Sequence, residues 1–436
     1  MSSRRSLVFA WAASLLLASL ARAPLAGAET PLRRVYDPVV VPVAKLTDLP
    51  MRQTANLRLY RIADGSYVPI PYQFDARSAD GELVVDGPAD FTLGDGDELV
   101  FMAKDAGPRA PDGVLPEGSD ATLEITLAEP GSDARAYAYL ATFRAKPAPV
   151  SFEPYVTYDA TTRQAHSALY RVDYANERDF FTGMHVLEGA GGNHSNLVRQ
   201  SRMHGSPTFS LLLADVTLDF TEQNSVVEIE GVRTGPVRSV RRVKLSVDLG
   251  PLFPELPSGI SYTYHYLSSY TTPTRVKFPW IMLQTLRDFR FEDVLDFRPD
   301  AMPMRYFDAS HPKGIALAAG GEPLEVRTTD DHDWWVHSAS AGTMLQALVI
   351  PQIWRDWGVV RGTVIRTGTS AEEDDGSGRA YEAGYTLLNM TSLREAGAYD
   401  LLMASVVLPQ GYSAGDEAGP MAMLRTPLQT EVRRIH

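Results

Sequence analysis

The chain has 436 residues, of which 44% are hydrophobic and 22% charged, a composition typical of globular proteins with a large apolar core. Cysteine is absent, which excludes disulfides, thiolate catalysis, cysteine-ligated zinc and covalently attached c-type haem. The formal net charge is −13 and the sequence has no basic stripe with interleaved aromatic residues, so we expect no nucleic-acid partner.

Residues 1–28 have the pattern of a signal peptide. An arginine pair precedes an uncharged apolar run at residues 7–20, and the small residues 26–28 fit a cleavage site. We therefore expect a mature protein that begins near Glu29, has no membrane span and is periplasmic or secreted. The arginine pair also fits a twin-arginine signal, but the leucine-rich run favours the Sec pathway.

Short runs of β-branched and aromatic residues dominate the rest of the chain. Clusters of Gly, Pro, Asp and Asn separate them about every ten residues, as in β-sandwiches, so the sequence predicts an all-β fold. The clearest predicted strands are residues 39–43, 57–62, 99–103, 123–127, 137–143 and 226–230.

We predict two structural units. The first is a small N-terminal β-sandwich at residues 29–147, followed by the proline-containing segment 144–154, which reads as a linker. The second, residues 150–436, is long for one sandwich. It is predicted either as one large sandwich of the supersandwich kind or as a sandwich with a sub-boundary near residue 360. In the second case an immunoglobulin-like hairpin module would follow that boundary.

Helical periodicity is scarce in this sequence. The best candidate helix is the segment 281–297, in which Leu283, Leu286, Phe289 and Val294 approach one helical face. The same segment is equally compatible with two strands.

A hairpin predicted over residues 226–247 carries a local concentration of positive charge. Arg238 and Arg242 lie on one face of a strand, because side chains alternate with a period of two. Arginines on a sheet would bind the carboxylates of an acidic polysaccharide through paired hydrogen bonds. The alternative is a solvated face on which these arginines pair with Glu228 and Glu230.

Three tyrosines alternate along the next predicted strand. Tyr262, Tyr264 and Tyr266 would line one face of it. Such a row is a platform for sugar rings, whose C–H faces pack on aromatic rings while phenols bind hydroxyls. The alternative is packing in the core or a cross-strand aromatic ladder.

Histidines are the candidate general bases of this chain, since no nucleophile elbow, phosphate loop or zinc-protease signature is present. Three histidines, His185, His194 and His204, lie around a glycine-rich segment at residues 189–192, and two lie in the segment 330–337. The candidate catalytic residues are His194, His204, His332 and His337.

The segment 330–337 also contains candidate metal ligands. Asp331, His332 and Asp333 supply carboxylate and imidazole, which both bind divalent metals. Trp334 and Trp335 follow directly and are candidate substrate-binding residues. The segment therefore predicts either a divalent metal site or a base next to aromatic subsites.

Two stretches resemble exported polysaccharide-processing proteins with a β-supersandwich, the fold class of mutarotase-like domains and several polysaccharide lyases. Residues 68–75 (Val-Pro-Ile-Pro-Tyr-Gln-Phe-Asp) are similar to a stretch near the start of rhamnogalacturonan-lyase-like proteins. Residues 228–238, from Glu-Ile-Glu to Gly-Pro-Val-Arg, are similar to a strand pair of their sandwich domain. The resemblance implies a supersandwich and a role in carbohydrate processing, and no catalytic residue of those families aligns with this chain.

These observations lead to three functional hypotheses. The first is an exported, soluble carbohydrate-binding or carbohydrate-active protein that engages an acidic polysaccharide. As an enzyme it would be a polysaccharide lyase, in which a base removes the proton next to a uronate carboxylate and an arginine stabilises the resulting negative charge. The second is a non-enzymatic periplasmic or cell-surface scaffold that docks to another envelope protein. The third is a carrier of a metal or another cofactor.

Overall fold

The computed structural model describes residues 30–174, 180–211, 214–248, 258–318, 324–368, 380–409 and 411–436. The predicted signal peptide, residues 1–28, lies outside these ranges. Within them, no helix has both the length and the apolar character needed to cross a membrane.

Strands make up most of the described chain, which confirms the predicted all-β fold class. The strands of the N-terminal part are β1 (Pro38–Pro42), β2 (Leu57–Ala63), β3 (Ser66–Pro69), β4 (Tyr72–Asp75), β5 (Glu98–Met102), β6 (Ala121–Ala128) and β7 (Arg135–Thr142). The next strands are β8 (Val156–Asp159), β9 (Gln164–Ser167), β10 (Tyr170–Tyr174), β11 (Phe181–Val186), β12 (Val198–Leu211), β13 (Ala214–Thr217), β14 (Phe220–Thr221), β15 (Ser225–Thr234), β16 (Ser239–Val247), β17 (Ser258–His265) and β18 (Ser269–Phe278).

The remaining strands begin after a short helix, α1 (Trp280–Thr285). They are β19 (Leu286–Phe297), β20 (Met304–Asp308), β21 (Ile315–Leu317), β22 (Leu324–Arg327), β23 (Trp334–Ala339), β24 (Gly342–Val349), β25 (Val360–Gly368), β26 (Ala380–Leu388), β27 (Gly397–Leu408) and β28 (Gln429–Arg434). Two further short helices are α2 (Gln352–Asp356) and α3 (Ala418–Arg425).

Two sheets form an N-terminal sandwich. One has the strand order β1-β5-β4 and the other β28-β6-β7-β2-β3, so β28 joins a sheet whose other strands come from residues 57–142. Strand β1 shows why they pack: Val39 and Val41 are buried while Val40 between them is exposed, the period of two that one buried sheet face requires.

Two larger sheets pack face to face in the rest of the chain. The seven-stranded sheet runs β13-β12-β19-β26-β25-β22, with β14 beside β12, and the nine-stranded sheet runs β15-β16-β17-β18-β27-β24-β23-β20-β21. Their facing apolar side chains form the largest core of the protein, which a four-stranded sheet (β11-β10-β9-β8) extends. The segment after residue 360, for which a separate terminal module was one expectation, supplies β25 and β26 to one large sheet and β27 to the other.

The N-terminal sandwich rests on the outer face of the nine-stranded sheet. Val100 and Met102 of β5 pack against Val240 of β16 and Tyr264 of β17 in a separate buried cluster. This contact leaves the opposite face of the nine-stranded sheet directed at the seven-stranded sheet. The two large sheets therefore have an interior of their own.

Candidate functional site: the inter-sheet cavity

The two large sheets enclose a cavity of about 290 Å³, the inter-sheet cavity. Strands β12, β19 and β26 line it on one side, and β16, β17, β18, β24 and β27 line it on the other. Ligand pockets in proteins begin at about this volume. The cavity therefore suits one small ligand.

A row of four hydrogen-bonding side chains crosses the cavity wall formed by the nine-stranded sheet. Tyr270 of β18 pairs with Ser405 of β27, Ser405 with Gln346 of β24, and Gln346 with Trp335 of β23. Residues paired directly across a sheet point to the same face, and all four line the cavity. The indole N–H of Trp335 donates to Gln346 Oε1 at 2.9 Å. We call these four residues the polar row.

Asp293 and Tyr385 face the polar row from the seven-stranded sheet. They are a cross-strand pair of β19 and β26, and the Tyr385 hydroxyl donates to Asp293 Oδ2 at 3.2 Å. The ring centroids of Tyr385 and Trp335 are 5.5 Å apart, so the two walls meet at this point. Aromatic rings and hydrogen-bonding groups thus surround one end of the cavity.

Asp293 is the acidic group of the inter-sheet cavity. Burial raises the pKa of its carboxyl group to about 7, against the opposing effect of the hydrogen bond from Tyr385. The side chain is part-exposed, and since it lines the cavity this exposed area faces the cavity interior. Near neutral pH the group is therefore present in both protonation states and can donate as well as accept a hydrogen bond.

The Tyr270 hydroxyl of the polar row can donate to a ligand. It lies close to Ser405, and its O–H has no hydrogen-bond acceptor of good geometry among the described residues. A buried donor without a partner costs about 1–3 kcal/mol. A ligand with an acceptor group at this end of the cavity would remove that cost.

The cavity becomes apolar along its length. From the polar row, Thr272 and Met403 form the next cross-strand pair, followed by Thr274 and Leu401. The wall formed by the seven-stranded sheet also becomes apolar toward this end, since Phe291 and Leu387 form the pair next to Asp293 and Tyr385. The far end is lined by aromatic side chains, among them Phe278, Phe289 and Trp354.

The predicted substrate-binding arginines and tyrosines lie together, but outside this cavity. Arg238, Arg242, Tyr262, Tyr264 and Tyr266 share the outer face of the nine-stranded sheet, and we call them the Arg–Tyr group. The Arg238 guanidinium lies 4.6 Å from the Tyr264 ring centroid, and that of Arg242 lies 5.8 Å from the Tyr262 ring. The arginines and tyrosines that the sequence analysis named as substrate-binding residues therefore contact one another.

The N-terminal sandwich covers this Arg–Tyr group. Arg238 is 2% exposed, and its guanidinium donates to Asp75 Oδ2, Glu98 Oε2 and the Tyr266 hydroxyl at 2.7–3.0 Å. Arg242 is half-buried and pairs with Glu230 at 2.8 Å and with Glu82. The arginines thus join the two parts of the protein through ion pairs with acidic residues of this chain.

The predicted metal ligands point to different partners. Asp331 accepts hydrogen bonds from Arg361 and Arg355, while Asp333 lies near the same two arginines and pairs with Arg425. Among the residues that the structure describes, no group of three or more His, Asp or Glu side chains is arranged to hold a metal ion.

His332 belongs to a buried hydrogen-bond network. Its Nε2 lies 2.7 Å from Thr363 Oγ1, which donates to Asp308 Oδ2 at 2.8 Å. His311 Nδ1 lies 2.8 Å from the other Asp308 oxygen. Burial opposes the ionisation of Asp308, but the hydrogen bonds from His332 and Thr363 hold its pKa well below the usual range.

The other candidate bases lie apart from one another. His337 is fully buried with Nε2 3.1 Å from Gln346 Oε1, and burial lowers its pKa to about 3, so it is neutral at physiological pH. His194 is exposed on a loop, and His204 lies on the seven-stranded sheet, 3.7 Å from Asp219. Trp334, next to the cavity residue Trp335, points outward toward Tyr412. Of the predicted site residues, Trp335 lines the inter-sheet cavity.

Asp293 and Tyr385 were not identified from the sequence, although the pattern of residues around Asp293 could have indicated it. In β19 it shares a face with Phe289, Phe291 and Leu295, so an acidic residue interrupts an otherwise apolar alternation. A carboxyl group in that position is either paired or functional. The ambiguity between helix and strands for this segment hid the pattern.

No family model matches the sequence, and no curated protein matches it. Solved structures with similar backbones exist. An α-mannosidase from Enterococcus faecalis is 10% identical with a TM-score of 0.43, over 92% of this chain and 44% of the mannosidase. A glycosyl hydrolase family 38 protein from the same organism is 10% identical with a TM-score of 0.42, over 94% of this chain and 49% of that one.

The Slr1438 protein from Synechocystis is 12% identical with a TM-score of 0.38, over 61% of this chain and 100% of that protein. This chain spans less than half the length of the two proteins from Enterococcus faecalis. Those two are carbohydrate-processing proteins by name and rich in β-structure. At these identities and TM-scores the similarity transfers no function and no residue role to this chain.

Proposed function

We propose that this chain is an exported carbohydrate-binding protein that holds one neutral sugar unit in the inter-sheet cavity. The observation that carries the proposal is the grouping of Trp335, Tyr385 and Tyr270 around Asp293 and Gln346 at one end of the cavity. Aromatic rings pack on the C–H faces of a sugar, while carboxyl, amide and phenol groups bind its hydroxyls.

The size and charge of the cavity favour a single neutral unit over an acidic polysaccharide. A volume of about 290 Å³ is at the lower end of the range for ligand pockets, which favours a single sugar unit. Among the described residues that line the cavity, none is a lysine, arginine or histidine. A uronate carboxylate would therefore be buried without a cation, which is costly.

Binding of sugars is tested by calorimetric titration of the protein without residues 1–28 against neutral and acidic mono- and disaccharides. We expect a neutral sugar to bind, and Tyr385→Phe to weaken that binding about tenfold because a hydrogen-bonding group is lost. Arg242→Ala is the matched control, since Arg242 lies outside the cavity, and its affinity is expected to equal that of the wild type. The proposal fails when no neutral sugar binds. It fails equally when acidic glycans bind and Arg242→Ala abolishes their binding.

Export is tested by cell fractionation. We expect the protein in the periplasm or the medium, shortened by about the 28 residues of the proposed signal, while a variant without residues 2–28 stays in the cytoplasm. Replacing both Arg4 and Arg5 by lysine keeps the positive charge, so export by the Sec pathway is expected to continue. Full-length protein confined to the cytoplasm would contradict export.

A further inference from the structure

Resting on the proposed sugar binding, we propose that the ligand is a sugar joined to a linear hydrocarbon chain, with the chain lying along the apolar part of the inter-sheet cavity. The polar row and Asp293 occupy one end of the cavity, and the cross-strand pairs beyond them carry fewer hydrogen-bonding groups. A ligand that matches this gradient has one polar end and one apolar end.

The length and the lining of the cavity favour a hydrocarbon chain over a second sugar ring. On β18 the lining residues run from Tyr270 to Phe278, and eight residue steps of a strand span about 27 Å. Beyond Tyr270 the lining of this strand consists of Thr272, Thr274, Val276 and Phe278. A hydrocarbon chain packs on apolar side chains without hydrogen bonds, whereas a second sugar ring needs hydroxyl partners.

Two hydroxyls in the apolar part are already paired with each other, and the indole N–H of a third residue is already buried. The hydroxyls of Ser261 and Thr274 lie 3.0 Å apart and bond each other. The Trp354 indole N–H has no partner among the described residues and is fully buried, so covering it with a hydrocarbon adds no further desolvation cost. This end of the cavity can therefore take an apolar chain without losing bonds.

Exposed apolar side chains flank the same end. Phe278 and Trp354 line the cavity with their ring centroids 5.7 Å apart, and the chain next to each presents exposed residues. Trp280 is 64% exposed, Ile281 57% and Ile353 41%. Large exposed apolar residues close to a ligand cavity are typical of surfaces that meet other apolar groups. Here they would contact the part of a long chain that extends beyond the cavity.

The test compares three probes by calorimetric titration: methyl glycosides, the corresponding octyl glycosides below their micelle concentration, and 1-octanol. Glucose, galactose and mannose are used as head groups. We expect one octyl glycoside to bind about 100-fold more tightly than its methyl glycoside, because burial of each methylene group is favourable. The octyl glycoside is also expected to bind at least about tenfold more tightly than 1-octanol, because the polar row binds the sugar.

Two variants locate the chain and the head group. Leu401→Gln is expected to reduce the ratio of octyl to methyl glycoside affinity, and Tyr385→Phe to weaken both glycosides together. Equal affinity of methyl and octyl glycosides overturns this inference and leaves the proposed sugar binding intact. Equal affinity of 1-octanol and the octyl glycoside overturns both proposals, and so does the absence of binding by any probe.

Discussion

Arg238→Ala is expected to lower the free energy of unfolding by about 3–5 kcal/mol, the range for breaking one side of a buried ion pair. Arg238 donates to Asp75, which is fully buried, and to Glu98, and both acids belong to the N-terminal sandwich. Removing the guanidinium leaves Asp75 with Arg233 as its neighbouring cation, at 3.3 Å. Denaturant unfolding followed by tryptophan fluorescence measures the loss.

Arg242→Ala is the control for this prediction, because Arg242 occupies the same sheet face but is half-buried. It is expected to cost about 1 kcal/mol or less, as partly exposed pairs do. A second variant, Asp75→Leu combined with Arg238→Met, removes both charges and is expected to recover part of the loss. Equal stabilities of Arg238→Ala and the wild type, together with loss of acidic-glycan binding, would instead favour the polysaccharide site predicted from the sequence.

Asp293→Asn is expected to stabilise the protein at neutral and alkaline pH. Burial raises the pKa of Asp293 to about 7 in the folded state, whereas an unfolded aspartate has a pKa of about 3.9. The folded protein therefore keeps a proton that the unfolded chain has lost, and the wild type loses stability as the pH rises from about 4 to about 7. This loss of stability reaches at most about 4 kcal/mol. An asparagine does not ionise, so the variant does not lose this stability.

The measurement is the melting temperature of both proteins between pH 4 and pH 9. We expect similar values near pH 4 and a growing advantage of the variant up to about pH 7, with no further change above that. Asp308→Asn is the control, because its effect on stability is expected to change with pH in the opposite direction. The pKa of Asp308 is lowered in the folded state, so its contribution is present above about pH 4 and is lost as the pH falls. A constant difference between Asp293→Asn and the wild type at all pH values would contradict the raised pKa.

Local sequence patterns were sufficient to predict six of the strands, namely β1, β2, β5, β6, β7 and β15. The alternation of Val39, Val40 and Val41 is a property of neighbouring residues, and β1 has the expected buried and exposed faces. The segment 281–297 was ambiguous because a helix and strands both account for its apolar residues. The structure contains a short helix followed by β19, in which Phe289, Phe291 and Asp293 share a face.

The cavity could not be predicted in the same way, because it depends on strand register. Tyr270, Gln346 and Ser405 are far apart in sequence and become neighbours through the pairing of β18, β27 and β24. Similarly, the sequence indicated that Arg238 and Arg242 share a face, which is how they lie. It contained no information on what covers that face, and the acids that do so come from β4 and β5.

Because β28 belongs to the N-terminal sandwich, assembly of that sandwich depends on residues 429–434. Thr430 pairs with Leu127, so the two strands are separated by roughly 300 residues that must first be synthesised and brought back. Until then β6 presents an open strand edge to other chains. The sheet that contains β6 is therefore completed only after residues 429–434 have been synthesised, and its open edge needs protection from aggregation in the meantime.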